Sequence, residues 1–184
     1  MENQNNDNSK SPREMYWNMM FQLKGQSIYL DKRLRRLETW NNALTIALLV
    51  ASSGSLSGWG GVWQYLKQFE ILKGLPEQFL SSTFTVVSQV ATVAYFAFNF
   101  PKRLKSVSAL RNELDELFLQ AKTAWFDILS GIVDDNEVYK RLSEIESRKN
   151  RAINQYFSDS SIPPNKRLTK IANDEALDFF NNHF

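Results

Sequence analysis

Two long uncharged stretches interrupt a chain that is otherwise charged and patterned for helices. From Thr39 to Leu66 there is no Asp, Glu, Lys or Arg, and the same holds from Gln78 to Pro101. A helix needs about 20 mostly apolar residues to cross a bilayer, and both stretches reach that length. The first predicted span covers about 40–65. Its first half, ALTIALLVA, is aliphatic, and its second, SSGSLSGWGGVW, is small, glycine-rich and aromatic. Trp40 stands at one end and Trp59, Trp63 and Tyr65 at the other, where interfacial aromatic belts belong. The second span, about 79–100, ends in Tyr95, Phe96, Phe98 and Phe100 ahead of Pro101. The connector is short, so the spans are expected to be antiparallel neighbours. Its Phe69, Ile71 and Leu72 suit an amphipathic turn in the interface.

The flanks read differently. Residues 1–10 are Asn-rich and poor in apolar side chains, the composition of a disordered tail. Ser11-Pro12-Arg13-Glu14 is a helix start, with a capping hydroxyl, proline in the first turn and Glu three places on. A helical N-terminal segment, 11–38, follows, with a break expected at Gly25 and a basic second half. After the second span, Leu104, Val107, Leu114, Leu117, Phe118, Ala121, Trp125 and Ile128 recur at helical spacing. Gly131 is expected to end or bend that helix, and Asp134 or Asp135 to cap the next, about 136–157. In it, Glu137 with Arg141 and Glu144 with Arg148 are spaced four apart for modest support. Ser158 to Ser161 and Pro163-Pro164 read as a linker before a final helix, Lys166 to Asn181. The expected fold is an all-α membrane protein. A two-helix transmembrane hairpin (39–101) lies between an N-terminal helical segment and a cytosolic helical domain (102–184). A buried helix of a soluble bundle followed by a glycine-rich loop is the competing reading of the first stretch, and its charge-free length argues against it.

Composition changes little in this picture. The 43% hydrophobic and 23% charged residues and the mean hydropathy of -0.39 average over two unlike kinds of sequence. The absence of cysteine excludes disulfides, thiolate metal sites and a cysteine nucleophile. The polar start shows no cleavable signal peptide, so the first span would act as an uncleaved signal anchor.

Charge placement predicts orientation. Lys24, Lys32, Arg33, Arg35 and Arg36 precede the first span, and Lys102, Arg103, Lys105 and Arg111 follow the second. The connector has only Lys67 and Lys73, matched by Glu70 and Glu77. The positive-inside rule then puts both termini on the cytoplasmic side. A solvated face or a nucleic-acid patch is the plainer reading of the Lys32–Arg36 cluster. Its position beside an apolar span favours lipid contact by Lys32, Arg33, Arg35, Arg36, Lys102, Arg103 and Lys105, since anionic lipid attracts such cations. No direct nucleic-acid binding is expected.

No ionisable residue lies inside either span, which argues against a proton relay or charged ion site. Softer polar residues are patterned instead. Ser81, Thr85, Ser88, Thr92 and Asn99 form one stripe on the second span, and Asn41, Thr45, Ser52 and Ser55 another on the first. Gly54 and Gly58 make a GxxxG pair, extended by Ser53, Ser57 and Gly61. Such residues let membrane helices approach closely, with interhelical hydrogen bonds averaging about 0.6 kcal/mol. The sharper alternative is that a stripe lines an aqueous opening. Two spans cannot enclose one, so a pore requires a homo-oligomer. Nothing points to catalysis or a cofactor: the single histidine, His183, is read as an exposed tail residue, and no nucleotide-binding, metalloprotease or nucleophile-elbow motif occurs.

The layout also resembles a known family. A basic helix ending RLRRLETWNNALTIALLVAS leads into the first span. The second ends in aromatics and Pro101-Lys102-Arg103-Leu104. A long helix with Leu104, Leu110, Leu114 and Leu117 follows, and then the Ile162-Pro163-Pro164 break. This is similar to the SLATT group, two-transmembrane effector domains associated with SMODS nucleotidyltransferases and SLOG nucleotide sensors in bacterial conflict systems. The resemblance implies an antiphage effector whose hairpins assemble on a partner's signal and breach the inner membrane, stopping growth of the infected cell. The partner would be a nucleotidyltransferase, a SLOG protein or a reverse transcriptase encoded nearby. The residues alone leave open a membrane-anchored scaffold that recruits a cytosolic partner. A holin-like lysis protein is a further alternative, which the long cytosolic tail disfavours.

Overall fold

The computed structural model describes the backbone of residues 11–56, 77–157 and 165–184, and their side chains except at 50–56, 77–84 and 157. Every described element is an α-helix: α1 (Pro12–Leu56), α2 (Glu77–Phe98), α3 (Phe100–Leu129), α4 (Asp135–Phe157) and α5 (Lys166–His183). They fall into two compact units. One comprises the described parts of Met1–Arg35 and Leu104–Phe184, the other those of Arg36–Arg103.

The first unit is a helical bundle whose faces follow from spacing. On α1, Tyr16, Met19, Met20, Leu23 and Leu30 are buried at steps of three, four and seven. On α3 the pattern read from sequence is realised. Val107, Leu114, Leu117, Phe118, Ala121, Trp125 and Ile128 are buried, joined by Leu110, while Leu104 is half-buried. Val138, Leu142, Ile145 and Ala152 come from α4, and Ala172, Ala176 and Phe180 from α5. Each large apolar side chain so buried contributes about 1.5–3 kcal/mol relative to exposure.

Pair contacts give the directions. Tyr16 stacks on Trp125 at 6.0 Å and donates from its hydroxyl to the Ala121 carbonyl at 3.3 Å, whereas Ser27, further along α1, donates to Asp115. So α1 and α3 run antiparallel. Arg141 reaches Asp127 at 3.4 Å, and Arg148 lies 3.7 Å from Glu113, which sets α4 antiparallel to α3. Phe118 meets Phe179 while Phe126 meets Phe184, which makes α5 parallel to α3.

Helix ends match their chemistry. The Glu14 amide donates to the Ser11 hydroxyl at 3.2 Å, and α1 opens at Pro12 as predicted. Gly131, at φ 73, follows the end of α3, and Asp134 accepts from the Glu137 amide at 2.9 Å to cap α4. Asn165 caps α5, accepting from the amides of Arg167 and Leu168. That last helix extends slightly beyond the predicted Asn181.

Three local readings are corrected. Gly25 does not break its helix. It is buried inside α1, and a Cβ there would lie 3.4 Å from Asn173 Oδ1 and 3.9 Å from the Ala176 Cβ, so α5 packs close enough to touch a methyl and leaves no room for a larger side chain. Glu144 and Arg148 do not pair, because Arg148 turns to Glu113, Glu116 and Gln120 across the bundle. Asn99 does not continue the polar stripe of the second span. Its φ of 44 places it in the left-handed region, which Asn tolerates better than most residues, and it separates α2 from α3. Pro101 then falls in the first turn of α3, where a missing amide hydrogen costs nothing.

Among the described residues, no helix is long and apolar enough to cross a membrane. The crossings expected at 40–65 and 79–100 therefore rest on uncharged stretches whose side chains from 50 to 84 lie outside the description. The tail 1–10, the connector and the Pro163-Pro164 linker also lie outside it.

Candidate functional site

The second unit supplies the surface that needs explanation. In α1, Trp40, Ile46 and Leu49 are exposed, and in α2 so are Val86, Val87, Val90, Val93, Phe96 and Phe98. Phe96 reaches 75% exposure, and Ala91 is the buried counterpoint on the same helix. Val86, Val90, Val93 and Ala97 fall at steps of four, three and four, giving an apolar ridge along α2. Each of these side chains would lose unfavourable hydration on burial, at about 25 cal/mol per Å².

Two threonines of this unit bond within their own helices. Thr92 donates to the Ser88 carbonyl at 2.8 Å, and Thr45 to the Asn41 carbonyl at 2.8 Å. Back-bonding of this kind lets Ser and Thr sit in an apolar helix without an outside partner. Of the predicted stripe, Ser88 and Thr92 are half-buried and Thr85 is exposed. Ser81 is helical in α2, and Ser52, Ser53 and Gly54 are helical in α1, but their side chains are outside the description. Ser57, Gly58 and Gly61 lie outside it entirely, so the Gly54–Gly58 pair is not brought together here. The Asn41 Oδ1 atom is buried without a hydrogen-bond partner among the described residues.

The predicted cationic cluster divides in two. Lys32 pairs with Glu175 at 2.6 Å, Arg33 donates to the Tyr29 hydroxyl at 2.8 Å, and Arg35 pairs with Asp31 at 3.0 Å. Arg111 Nε stands 3.5 Å from both Asp31 and Asp115, an ion-pair distance without hydrogen-bond alignment. Those cations serve the bundle. Arg36, Lys102, Arg103 and Lys105 are exposed and make no ion pair among the described residues. The Arg103 guanidinium rests 5.8 Å from the Phe98 ring. Sequence reasoning treated all these cations alike. Arg33, Arg35 and Arg111 each have a partner four residues away, Tyr29, Asp31 and Asp115, a local sign that some were already engaged.

The bundle itself has an open groove of about 410 Å³ between α1 and α5, lined by Phe21, Gln26, Tyr29, Thr169 and Asn173 among others. Tyr29 there accepts from Arg33 and from the Asn165 amide at 3.3 Å. Burial pushes the Tyr16 hydroxyl up to about 12, with the Arg141 charge opposing and Asp127 adding to the shift. His183 is exposed in the last turn of α5, its ring stacked 4.2 Å from Phe179. Among the described residues, no group of His, Asp and Glu is arranged to hold a metal ion. Comparison with family models, with curated proteins and with solved structures finds no match.

Proposed function

We propose that this chain is a membrane effector of a bacterial antiphage defence system. Its uncharged helices form a hairpin in the inner membrane with both termini cytoplasmic. On a trigger from a partner protein, hairpins oligomerise and permeabilise the membrane, halting growth of the infected cell. The protein performs no catalysis in this scheme and carries no cofactor.

The observation that carries the membrane part is the apolar surface of the second unit. Exposed valines and phenylalanines on a helix with no charge from Gln78 to Pro101 suit a lipid environment, and back-bonded Thr45 and Thr92 suit it too. The effector part rests on the resemblance to SLATT domains. The partner would be a nucleotidyltransferase, a SLOG protein or a reverse transcriptase.

One observation favours a second reading, a membrane-anchored scaffold. The bundle also exposes Phe126, Leu129 and Ile132 around the end of α3, an apolar patch suited to recruiting a protein.

Expression with the triggering partner under a potential-sensitive dye separates the two. Depolarisation on triggering supports the effector, and a steady potential with the chain retained in the membrane supports the scaffold. Leu in place of Gly54 and Gly58 should abolish toxicity where close helix packing drives assembly, and undiminished toxicity would sink that role. Alkaline carbonate extraction tests the hairpin, since a chain without one is released.

A further inference from the structure

We propose that the second unit binds anionic phospholipid headgroups at two places, Arg36 beside Trp40 on α1, and Lys102 with Arg103 beside Phe96 and Phe98. This rests on the membrane reading above and names the lipid class at its edge. The predicted cluster of seven cations does not act as one: Lys32, Arg33 and Arg35 are held by Glu175, Tyr29 and Asp31. Arg36, Lys102 and Arg103 are exposed and without an ion pair among the described residues.

Charge complementarity decides the occupant. No carboxylate occurs from Gln78 through Asn112, so Lys102 and Arg103 have no acidic neighbour in sequence on either side. Glu38, exposed, is the carboxylate close to Arg36. Lys102 and Arg103 therefore leave net positive charge where the chain leaves the second uncharged stretch, while Arg36, with Glu38 two residues on, adds a cation unpaired among the described residues where it enters the first.

Aromatic rings accompany the cations in both places. Trp40, one turn beyond Arg36, is 61% exposed, and Phe98 is 51% exposed with the Arg103 guanidinium 5.8 Å from its ring. A guanidinium laid on a ring face keeps its in-plane donors open for a phosphate. A ring and a cation together match the boundary between acyl chains and headgroups. A nucleic acid or an acidic peptide would meet the charge but leave Phe96 and the valine ridge in water, which is why a lipid phosphate is the better partner.

The test uses the full chain made by cell-free synthesis with vesicles of phosphatidylcholine alone or with phosphatidylglycerol added, recovered by flotation at low and high salt. At low salt, phosphatidylglycerol should raise the bound fraction, and high salt should remove the excess. Replacing Arg36, Lys102 and Arg103 together by Gln should lower the phosphatidylglycerol-dependent partition on the order of 100-fold, at about fivefold per cation. Replacing Lys140, Lys166 and Lys170 by Gln removes equal charge from the bundle and should leave the excess intact. An excess that is absent in the unaltered chain, that survives the first triple substitution, or that falls equally in both overturns the proposal. A carbonate wash of the same floated samples reads the hairpin separately. Chain released by carbonate yet dependent on phosphatidylglycerol at neutral pH sinks the hairpin and upholds the headgroup surface, while carbonate-resistant chain indifferent to lipid charge does the reverse.

Discussion

The Lys32 ammonium lies 2.6 Å from a Glu175 carboxylate oxygen, joining α1 to α5 just before α1 loses its charges. Both side chains are partly exposed, at 26% and 48%. Solvent screening limits such a pair to below about 1 kcal/mol. A double-mutant cycle on Lys32→Ala and Glu175→Ala, read by thermal unfolding, should give a coupling under about 1 kcal/mol. Phe180→Ala should cost about 3–5 kcal/mol, because Phe180 is 4% exposed and packs on Trp17 at 4.9 Å. A coupling larger than the Phe180 effect would reverse this ranking of the α5 anchors.

Gly25 offers a test with two signs. A helix-interior Gly costs about 1 kcal/mol relative to Ala, and an added Cβ meets only ordinary contacts at 3.4 and 3.9 Å. Gly25→Ala should therefore stabilise the bundle by about 0.5–1 kcal/mol. Gly25→Leu should destabilise it by about 1–3 kcal/mol by forcing α5 away. Denaturant midpoints of the two variants measure both, and equal shifts in one direction would contradict the packing role.

Tyr16 predicts an alkaline limit. Its hydroxyl titrates near 10 when unfolded and at about 12 in the bundle. A folded pKa above the unfolded one leaves stability whole below about pH 10 and removes it as pH rises from there through the folded value. The full loss is about 2–3 kcal/mol at about 1.4 kcal/mol per unit. The stability difference between the unaltered chain and Tyr16→Phe should shrink over that window, and parallel pH profiles would refute the assignment.

Lys149 is buried at 8% exposure, and its ammonium contacts the Met19 sulfur at 3.7 Å. A thioether is a weak acceptor for a charge removed from water. Lys149→Met should raise the melting temperature, corresponding to about 1 kcal/mol or more. A fall on substitution would mean that the lysine has a stabilising partner.

Much of the bundle was legible along the chain. The apolar repeat from Val107 to Ile128, the Ser11 start, the Gly131 stop and the Asp134 cap are local rules about spacing, hydroxyls and backbone freedom, and the helices obey them. Gly25, Arg148 and Asn99 were misread because local rules do not include neighbours. The glycine answers to α5, the arginine to carboxylates on α3, and the asparagine to the left-handed backbone that separates α2 from α3. Of the candidate site, the cations were found as a set, but the neutralisation of Lys32 was not legible, since Glu175 is far from it in sequence.

What the sequence by itself determined is where charge is absent, the starts and stops marked by Ser11, Gly131 and Asp134, and which faces are apolar, because these depend on residues within a turn or two of one another. The tertiary structure decided which apolar faces are covered and which cations are neutralised. Both depend on pairings across the bundle, such as Tyr16 with Ala121 and Asp31 with Arg111, that no local pattern specifies. Burial and ion pairing are set by what a side chain meets in space. That is why Lys32 and Lys102, alike in the sequence, differ in the fold: one ammonium finds a carboxylate, and the other is left facing outward.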